Sequence, residues 1–441
     1  LNSIKTFPER HNRIPSGFVS ATRGTIIRQA VNACLGLGIA ILLARSLAPS
    51  ERGSLAVLLA SASAIASAGL LLTGGNEIIV GRDFGAAHGT MLTTLLAAVV
   101  TGAVALAAIQ IQAIAGLLTP GEIAGEIFLP VTIFVILCEF GLQRILTARQ
   151  DFHYVNCVYV ASQVIHVILL VWAASVGGLS VAVALFANFG VILGRSLVFE
   201  IRIGQLVRRA GLKSSPRMID LLREQLAIGW RAAAQSTIMT LFLQAGIWQV
   251  STLAGLRAAG ILRVAMNIMD AQLLVPRSVE QIVRAKAASE GVRWLRTWAT
   301  MKLVFCSGAL ATAGLAVCGP GIVSWIFGSE YSGVYPVAVI LLAGGSFVSG
   351  SLVLIAALSS AMRFPMSVIF SASIALACML SLGWVLIPSW GAAGAAAAFL
   401  GGSAALLALI LCAFLKHRPS SCPARVVFTR AEWASFRDET A

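Results

Sequence analysis

From residue 24 to residue 415 the chain is a succession of long apolar runs, broken only by short stretches that are charged or rich in Gly, Pro and Asn. About 20 mostly apolar residues in a helix cross a hydrocarbon core roughly 30 Å thick, because the helix satisfies its own backbone polar groups. The runs 24–46, 53–73, 89–117, 128–147, 155–176, 179–200, 226–250, 258–280, 298–318, 334–358, 364–387 and 391–415 predict about twelve such helices. Composition agrees: 58% of the 441 residues are hydrophobic and 11% are charged, where an ordinary soluble domain carries about 25% charged residues. The expected fold class is all-α integral membrane.

Lys and Arg gather on the cytoplasmic side of a membrane. With an even number of spans and both termini inside, the basic residues collect on one side, chiefly in 1–23, 195–223, 277–302 and 416–441. Only Arg45, Arg52 and Arg257 fall on the outer side, and Arg28, Arg231 and Arg263 fall within spans. This pattern predicts a multi-pass protein of the bacterial inner (cytoplasmic) membrane with both termini cytoplasmic. The net charge of +14 then expresses topology and attraction to anionic membrane lipids. No nucleic acid is expected as a partner, since the basic residues are spread over short loops.

The most polar internal stretch divides the chain near its middle. The predicted organisation is a cytoplasmic N-terminal tail at 1–23, a first six-helix bundle at 24–201, a basic cytoplasmic linker at 202–225, a second six-helix bundle at 226–415 and a cytoplasmic C-terminal tail at 416–441. The charged N-terminal tail followed by a full-length span does not read as a cleaved signal peptide. A faint internal echo supports two related bundles. "LLARSLAPSERGSLAVL" resembles "WQVSTLAGLRAAGILRVA" about 207 residues later: a span ends in Leu-Ala, a short outer turn follows, and a Gly opens the next span.

Ionisable groups inside a span are costly unless paired or facing water, so each marks a candidate site. Span eight carries Arg263, Asn267, Asp270, Arg277 and Gln281 within a narrow arc of the helix. Span one has Thr25, Arg28, Gln29 and Asn32, and span seven has Arg231 and Gln235. Span four places Thr132, Glu139 and Gln143 on one face, and span five does the same with Asn156, Tyr159, Gln163 and His166. Glu139, His166 and Asp270 are candidates for ion coupling or for charge pairing, Asp270 with an arginine on span one or seven. Arg28, Arg231 and Arg263 each lie about one turn inside a helix end, where a long cationic side chain can equally snorkel to headgroups. Spans ten to twelve, by contrast, are rich in Ala, Gly and Ser, which suits close helix packing.

Motifs of enzymes are missing: there is no P-loop, HExxH or CxxC, and "GLGIAI" lies inside a span. The outer loops are too short to house catalysis. No enzyme activity and no cofactor or metal is expected, and the eight cysteines, mostly within spans, suggest neither disulfides nor metal ligation.

Three segments carry a resemblance to a known family. "ILLARSLAPSERGSLAV" resembles the R-x-L-G-P-x-x-x-G turn after the first span of Wzx-type polysaccharide flippases, which belong to the multidrug/oligosaccharidyl-lipid/polysaccharide superfamily. Ala48 stands where that family usually has Gly. "IFGSEYSGVYPVAVILL" is similar to the family's F-G-x-x-Y-x-x-a segment before span ten, and "LIPSWGAAGAAAAFLGG" to its approach to the last span. The resemblance implies two pseudo-symmetric six-helix bundles around a central cavity. It also implies alternating access for a polyprenyl-pyrophosphate-linked glycan, with polysaccharide polymerase and chain-length machinery as further partners.

For such a substrate, Arg28, Arg231 and Arg263 suit the pyrophosphate, because guanidinium makes forked, charge-assisted hydrogen bonds. Gln29, Asn32, Gln235 and Asn267 suit the sugars. A drug or cation antiporter of the same superfamily would place carboxylates in the cavity instead. A flippase for the peptidoglycan precursor shares the pyrophosphate but commonly has more spans.

Overall fold

A computed structural model describes residues 17–416, apart from 71–72, 74, 77–78, 81–82, 115–127, 150, 211–217, 291–293 and 361–364. The described residues form helices joined by short turns. The helices are α1 (Gly17–Ser46), α2 (Pro49–Gly69), α3 (Ala87–Ile114), α4 (Phe128–Ala148), α5 (Phe152–Ser175), α6 (Val181–Arg209) and α7 (Met218–Ala254). They continue with α8 (Leu256–Gln272), α9 (Leu274–Glu290), α10 (Trp294–Phe327), α11 (Val334–Ser360), α12 (Pro365–Trp390) and α13 (Ala392–Lys416). Ten are long and apolar enough to cross a membrane, and α8 and α9, bent by 48° at their junction, are long and apolar enough when taken together. The 30-residue α1 precedes them, so the succession follows the apolar runs. The polar stretch 202–225 is in large part helical, lying in the end of α6 and the start of α7.

Local chemistry explains the turns. α2 begins with Pro49, whose fixed φ and missing N–H suit the first helical position, and the Glu51 carboxylate accepts the Ala48 N–H at 3.0 Å. Ala48 itself has φ −60°, so this turn does not require the glycine that its position usually carries in the resembled family. Gly177, Gly255, Gly328 and Gly391 all have positive φ, and each sits in a turn at the same end of the bundle as Ala48. We refer to this as the turn end.

The two halves repeat one packing scheme. In the first, α3 packs on α4, α1 on α5, α2 on α4, and α4 and α5 on α6. In the second, α10 packs on α11, α7 on α12, α8 on α11, and α11 and α12 on α13. The halves meet where α2 crosses α8, flanked by α2 on α7 and α1 on α8 and α9. At that crossing a Cβ on Gly53 would lie 1.9 Å from the Leu256 carbonyl oxygen, and one on Gly260 would lie 1.9 Å from the Pro49 carbonyl oxygen. These are reciprocal contacts: each partner is separated from its counterpart by the offset seen in the sequence echo. The pseudo-twofold axis therefore passes between Gly53 and Gly260.

The halves differ in how they are filled. One continuous apolar core occupies the second half, whereas the first is built from smaller clusters with polar groups between them. In the second half a Cβ on Gly344 would lie 2.7 Å from the Phe399 ring, and one on Gly402 would meet Met379 at 2.7 Å. The glycines here let the helix backbones approach closely.

Candidate functional site

Between the halves lies a cavity of about 350 Å³, walled by α1, α2, α5, α6, α8 and α9. Its polar lining is Asn32, Arg52, Gln163, His166, Asn188, Arg263, Asn267, Asp270 and Arg277. Every described member of the span-eight stripe is among them, because residues at these offsets fall on one helical face. The predicted site residues Asn32, Arg263, Asn267, Asp270 and His166 thus share one cavity. Arg28 and Gln29 belong to α1, but their side chains lie outside the described residues, as does that of Gln281.

Two expectations differ from the arrangement seen. Arg231 and Gln235 do not line the cavity; Arg231 is exposed, with its guanidinium 5.4 Å from the Trp230 ring centre, as a snorkelling side chain would be. Asp270 pairs with Arg277 of its own span at 3.3 Å, and not with an arginine of span one or seven. Glu139, by contrast, is in one of its two expected arrangements, a charge pair: buried and outside the cavity lining, its Oε2 accepts from Arg195 Nη2 at 3.1 Å and its Oε1 from the Tyr159 hydroxyl at 2.7 Å. Arg195, grouped by sequence with the cytoplasmic basic cluster, lies within α6 and is 8% exposed.

Arg52 is the residue that sequence reading placed wrongly with most consequence. It lies in the first turn of α2 rather than in an outer loop, is 5% exposed, and faces the cavity. Its Nε is buried without a hydrogen-bond partner, and no acid pairs with it among the described residues. Leaving a buried polar group unpaired is costly, and more so for a charged one. Around the same cavity Asn32 Oδ1, Gln163 Oε1 and Asn267 Nδ2 are likewise buried and unpartnered. Arg263, half-buried in the opposite wall, has no hydrogen bond or ion pair among the described residues. Guanidinium groups without counter-ions among the described residues, beside unpartnered amide donors and acceptors, are chemically able to take an anion and hydroxyl groups.

Above Arg52 the turn end is latched. Arg45 donates from Nε to the Ile326 carbonyl at 2.9 Å and from Nη2 to the Trp325 carbonyl at 2.6 Å, satisfying the last carbonyls of α10. The Tyr331 hydroxyl donates to the Leu47 carbonyl at 3.1 Å. Burial pushes the Tyr331 phenol up to about 12, so it remains a donor at physiological pH. The segments "ILLARSLAPSERGSLAV" and "IFGSEYSGVYPVAVILL", far apart in sequence, thus meet as one contact between the halves. At the opposite end Gln225, fully buried, donates to Asn76 Oδ1 at 2.8 Å and approaches Thr93 Oγ1 at 2.9 Å, tying the start of α7 to the first half.

No protein-family model matches the chain, and no curated protein matches it by sequence. Solved structures match it over most of its length. An inward-facing multidrug resistance MATE family transporter of the MOP superfamily is 15% identical, covering 90% of this chain and 100% of its own, with a TM-score of 0.65. The lipid II flippase MurJ, in an inward closed conformation, is 14% identical over 91% of this chain and 88% of its own, with a TM-score of 0.61. A MOP superfamily transporter from Pyrococcus furiosus, described as having reversed binding-pocket polarity, is 15% identical over 90% and 94%, with a TM-score of 0.61. At these identities the likeness shows the fold: a pseudo-symmetric two-lobe membrane bundle whose structural neighbours are transporters and flippases.

Proposed function

We propose that this chain is a flippase that moves a polyprenyl-pyrophosphate-linked oligosaccharide repeat unit by alternating access, for exopolysaccharide, capsule or O-antigen assembly. The direction is from the cytoplasmic to the outer leaflet of a bacterial inner membrane, with both termini cytoplasmic and the turn end outward. The observation that carries this reading is Arg52, an arginine buried in the cavity wall between the halves without an acidic partner among the described residues. Among the described lining residues Arg52, Arg263 and Arg277 are accompanied by one carboxylate, Asp270, an excess of positive charge that suits a diphosphate and disfavours an organic cation. Asn32, Gln163, Asn188 and Asn267 supply amide partners for sugar hydroxyls.

The charge of such a substrate also bears on its driving force. Each elementary charge moved across the membrane is worth about 2.3 kcal/mol per 100 mV, and an interior-negative potential favours outward movement of an anion. Of the proposed coupling groups, Glu139 and Asp270 are held in ion pairs, whereas His166 faces the cavity without one among the described residues. His166 is therefore the group of the three best placed for proton coupling. Arg28 and Gln29 stay in the proposed site because Arg28 precedes Asn32 by one helical turn in α1. A second reading, a flippase for a peptidoglycan precursor lipid, draws on the same cavity arginines and differs in the attached sugars.

Replacement of Arg52 or Arg263 by Ala, at normal protein level in the cell, is expected to abolish or sharply reduce surface polysaccharide, while Arg231→Ala leaves it intact. Normal polysaccharide in both cavity variants would refute the reading. Loss of cell-wall synthesis without loss of polysaccharide would favour the peptidoglycan precursor.

A further inference from the structure

The predicted eighth span is broken, and the break is straddled by the one ion pair in the cavity wall among the described residues. α8 ends at Gln272, Leu273 takes the cap position, and α9 starts at Leu274 with a bend of 48°. Pro276 is the cause: it has no N–H to give the Gln272 carbonyl four residues earlier, and its ring crowds that carbonyl. The Gln272 side chain donates to the Gly308 carbonyl at 2.9 Å and lies 3.2 Å from Ser346 Oγ. It thereby pins the end of α8 to α10 and α11.

Asp270 lies before the break and Arg277 after it, with Oδ1 and Nη2 3.3 Å apart. Seven residues in a straight helix rise about 10 Å, so the pair is made by a long side chain reaching back along the cavity face, and its length depends on the bend. The two side chains are 37% and 39% exposed. A pair this open is weak and easily exchanged, whereas a phosphate offers the same guanidinium two stronger, forked bonds. α1 packs against both α8 and α9, so any change of bend is felt in the first half.

We propose that Asp270 stands in for the substrate's phosphate: a phosphate group entering the cavity takes Arg277 from Asp270, and the hinge at Leu273 then changes its angle. This rests on the reading that the cavity accepts a diphosphate. Asp270 is in these terms a positioning residue, and it connects occupancy of the cavity to movement of one half on the other.

The test uses the full-length protein in lipid nanodiscs, with its native cysteines replaced and spin labels at positions 257 and 284, both exposed. Inorganic pyrophosphate serves as the probe, its binding followed by calorimetry and the label separation by pulsed electron resonance. Wild type should bind pyrophosphate and show a shifted distance. Asp270→Asn, nearly isosteric, should show the shifted distance without ligand and bind pyrophosphate about threefold to tenfold more tightly, since a weak competitor is gone. Asp270→Glu should behave as wild type, which controls for folding. If pyrophosphate binds and the distance does not change, or if Asp270→Asn binds more weakly, the switch is wrong while the cavity assignment stands. If pyrophosphate does not bind wild type at all, the cavity assignment fails and the switch falls with it.

Discussion

Arg52 and Glu139 show how the same kind of residue, an ionisable group buried in a membrane helix, takes opposite roles according to its partners. Glu139 is satisfied by Arg195 and Tyr159, so it belongs to the stability of the first half. Removing one member of a buried pair costs about 3–5 kcal/mol, while replacing both by apolar residues is often neutral. Glu139→Leu is therefore expected to lower thermal stability strongly, and Glu139→Leu combined with Arg195→Leu to recover most of it. Arg52 has no such partner among the described residues, and its substitution should be felt in binding. Losing one charge-assisted contact costs about 1.5–3 kcal/mol, roughly ten- to a hundredfold in affinity, so Arg52→Ala should weaken pyrophosphate binding by that factor in a calorimetric titration. The cavity stripe of Arg263, Asn267 and Asp270 was legible in the sequence because it repeats at helical spacing inside an apolar run. Arg52 was not: it stands beside Glu51 in "APSERG", where two adjacent charges and a Pro read as loop, and only the fold shows that α2 begins three residues earlier. Arg195 was missed because it was counted with the cytoplasmic basic residues of 195–223, although it falls inside the apolar run 179–200.

Helices in this molecule are positioned by glycine as much as by apolar bulk. The α2–α8 crossing tolerates no side chain at Gly53 or Gly260, since a Cβ would overlap a backbone carbonyl at 1.9 Å. Gly53→Ala or Gly260→Ala should separate the halves, reducing both thermal stability and transport. Gly36→Ala, where nothing lies within 4 Å of the added Cβ, should leave folding unaffected despite lining the cavity. The turn-end latch is a second helix-level contact that separation of the halves at this end must break. Arg45→Ala together with Tyr331→Phe removes its three hydrogen bonds. Hydrogen exchange at the first turns of α2 and the last turns of α10 should be faster in that variant than in wild type. At this scale the sequence was informative about the existence and order of the spans, which apolar length dictates. It concealed the break in span eight, because an isolated Pro at position 276 does not interrupt the apolar and polar periodicity around it. The true partner of Asp270 was hidden along with it.

For the whole molecule, the two halves share a packing scheme but not a chemistry. The second is a continuous apolar core with small residues at its contacts, and the buried Glu139–Arg195 pair belongs to the first. The cavity draws its polar lining from α1, α2, α5 and α6 on one side and from α8 and α9 on the other, so a ligand held there touches both halves and feels any motion between them. Pseudo-symmetry of this kind was visible in the sequence as the six-plus-six organisation and the faint echo that includes Gly53 and Gly260, and the reciprocal contacts of these two glycines give that echo a physical meaning. The substrate's identity is written in charge rather than in fold, since the structural neighbours include both a drug transporter and a lipid II flippase. The most direct test is flipping of a fluorescent polyprenyl-pyrophosphoryl oligosaccharide in vesicles reconstituted with purified protein. The account predicts movement by wild type, a large loss in the Arg52→Ala, Arg263→Ala double variant at equal protein content, and no loss in Arg231→Ala. Undiminished flipping by the double variant, or transport of an organic cation in place of the lipid, would contradict it.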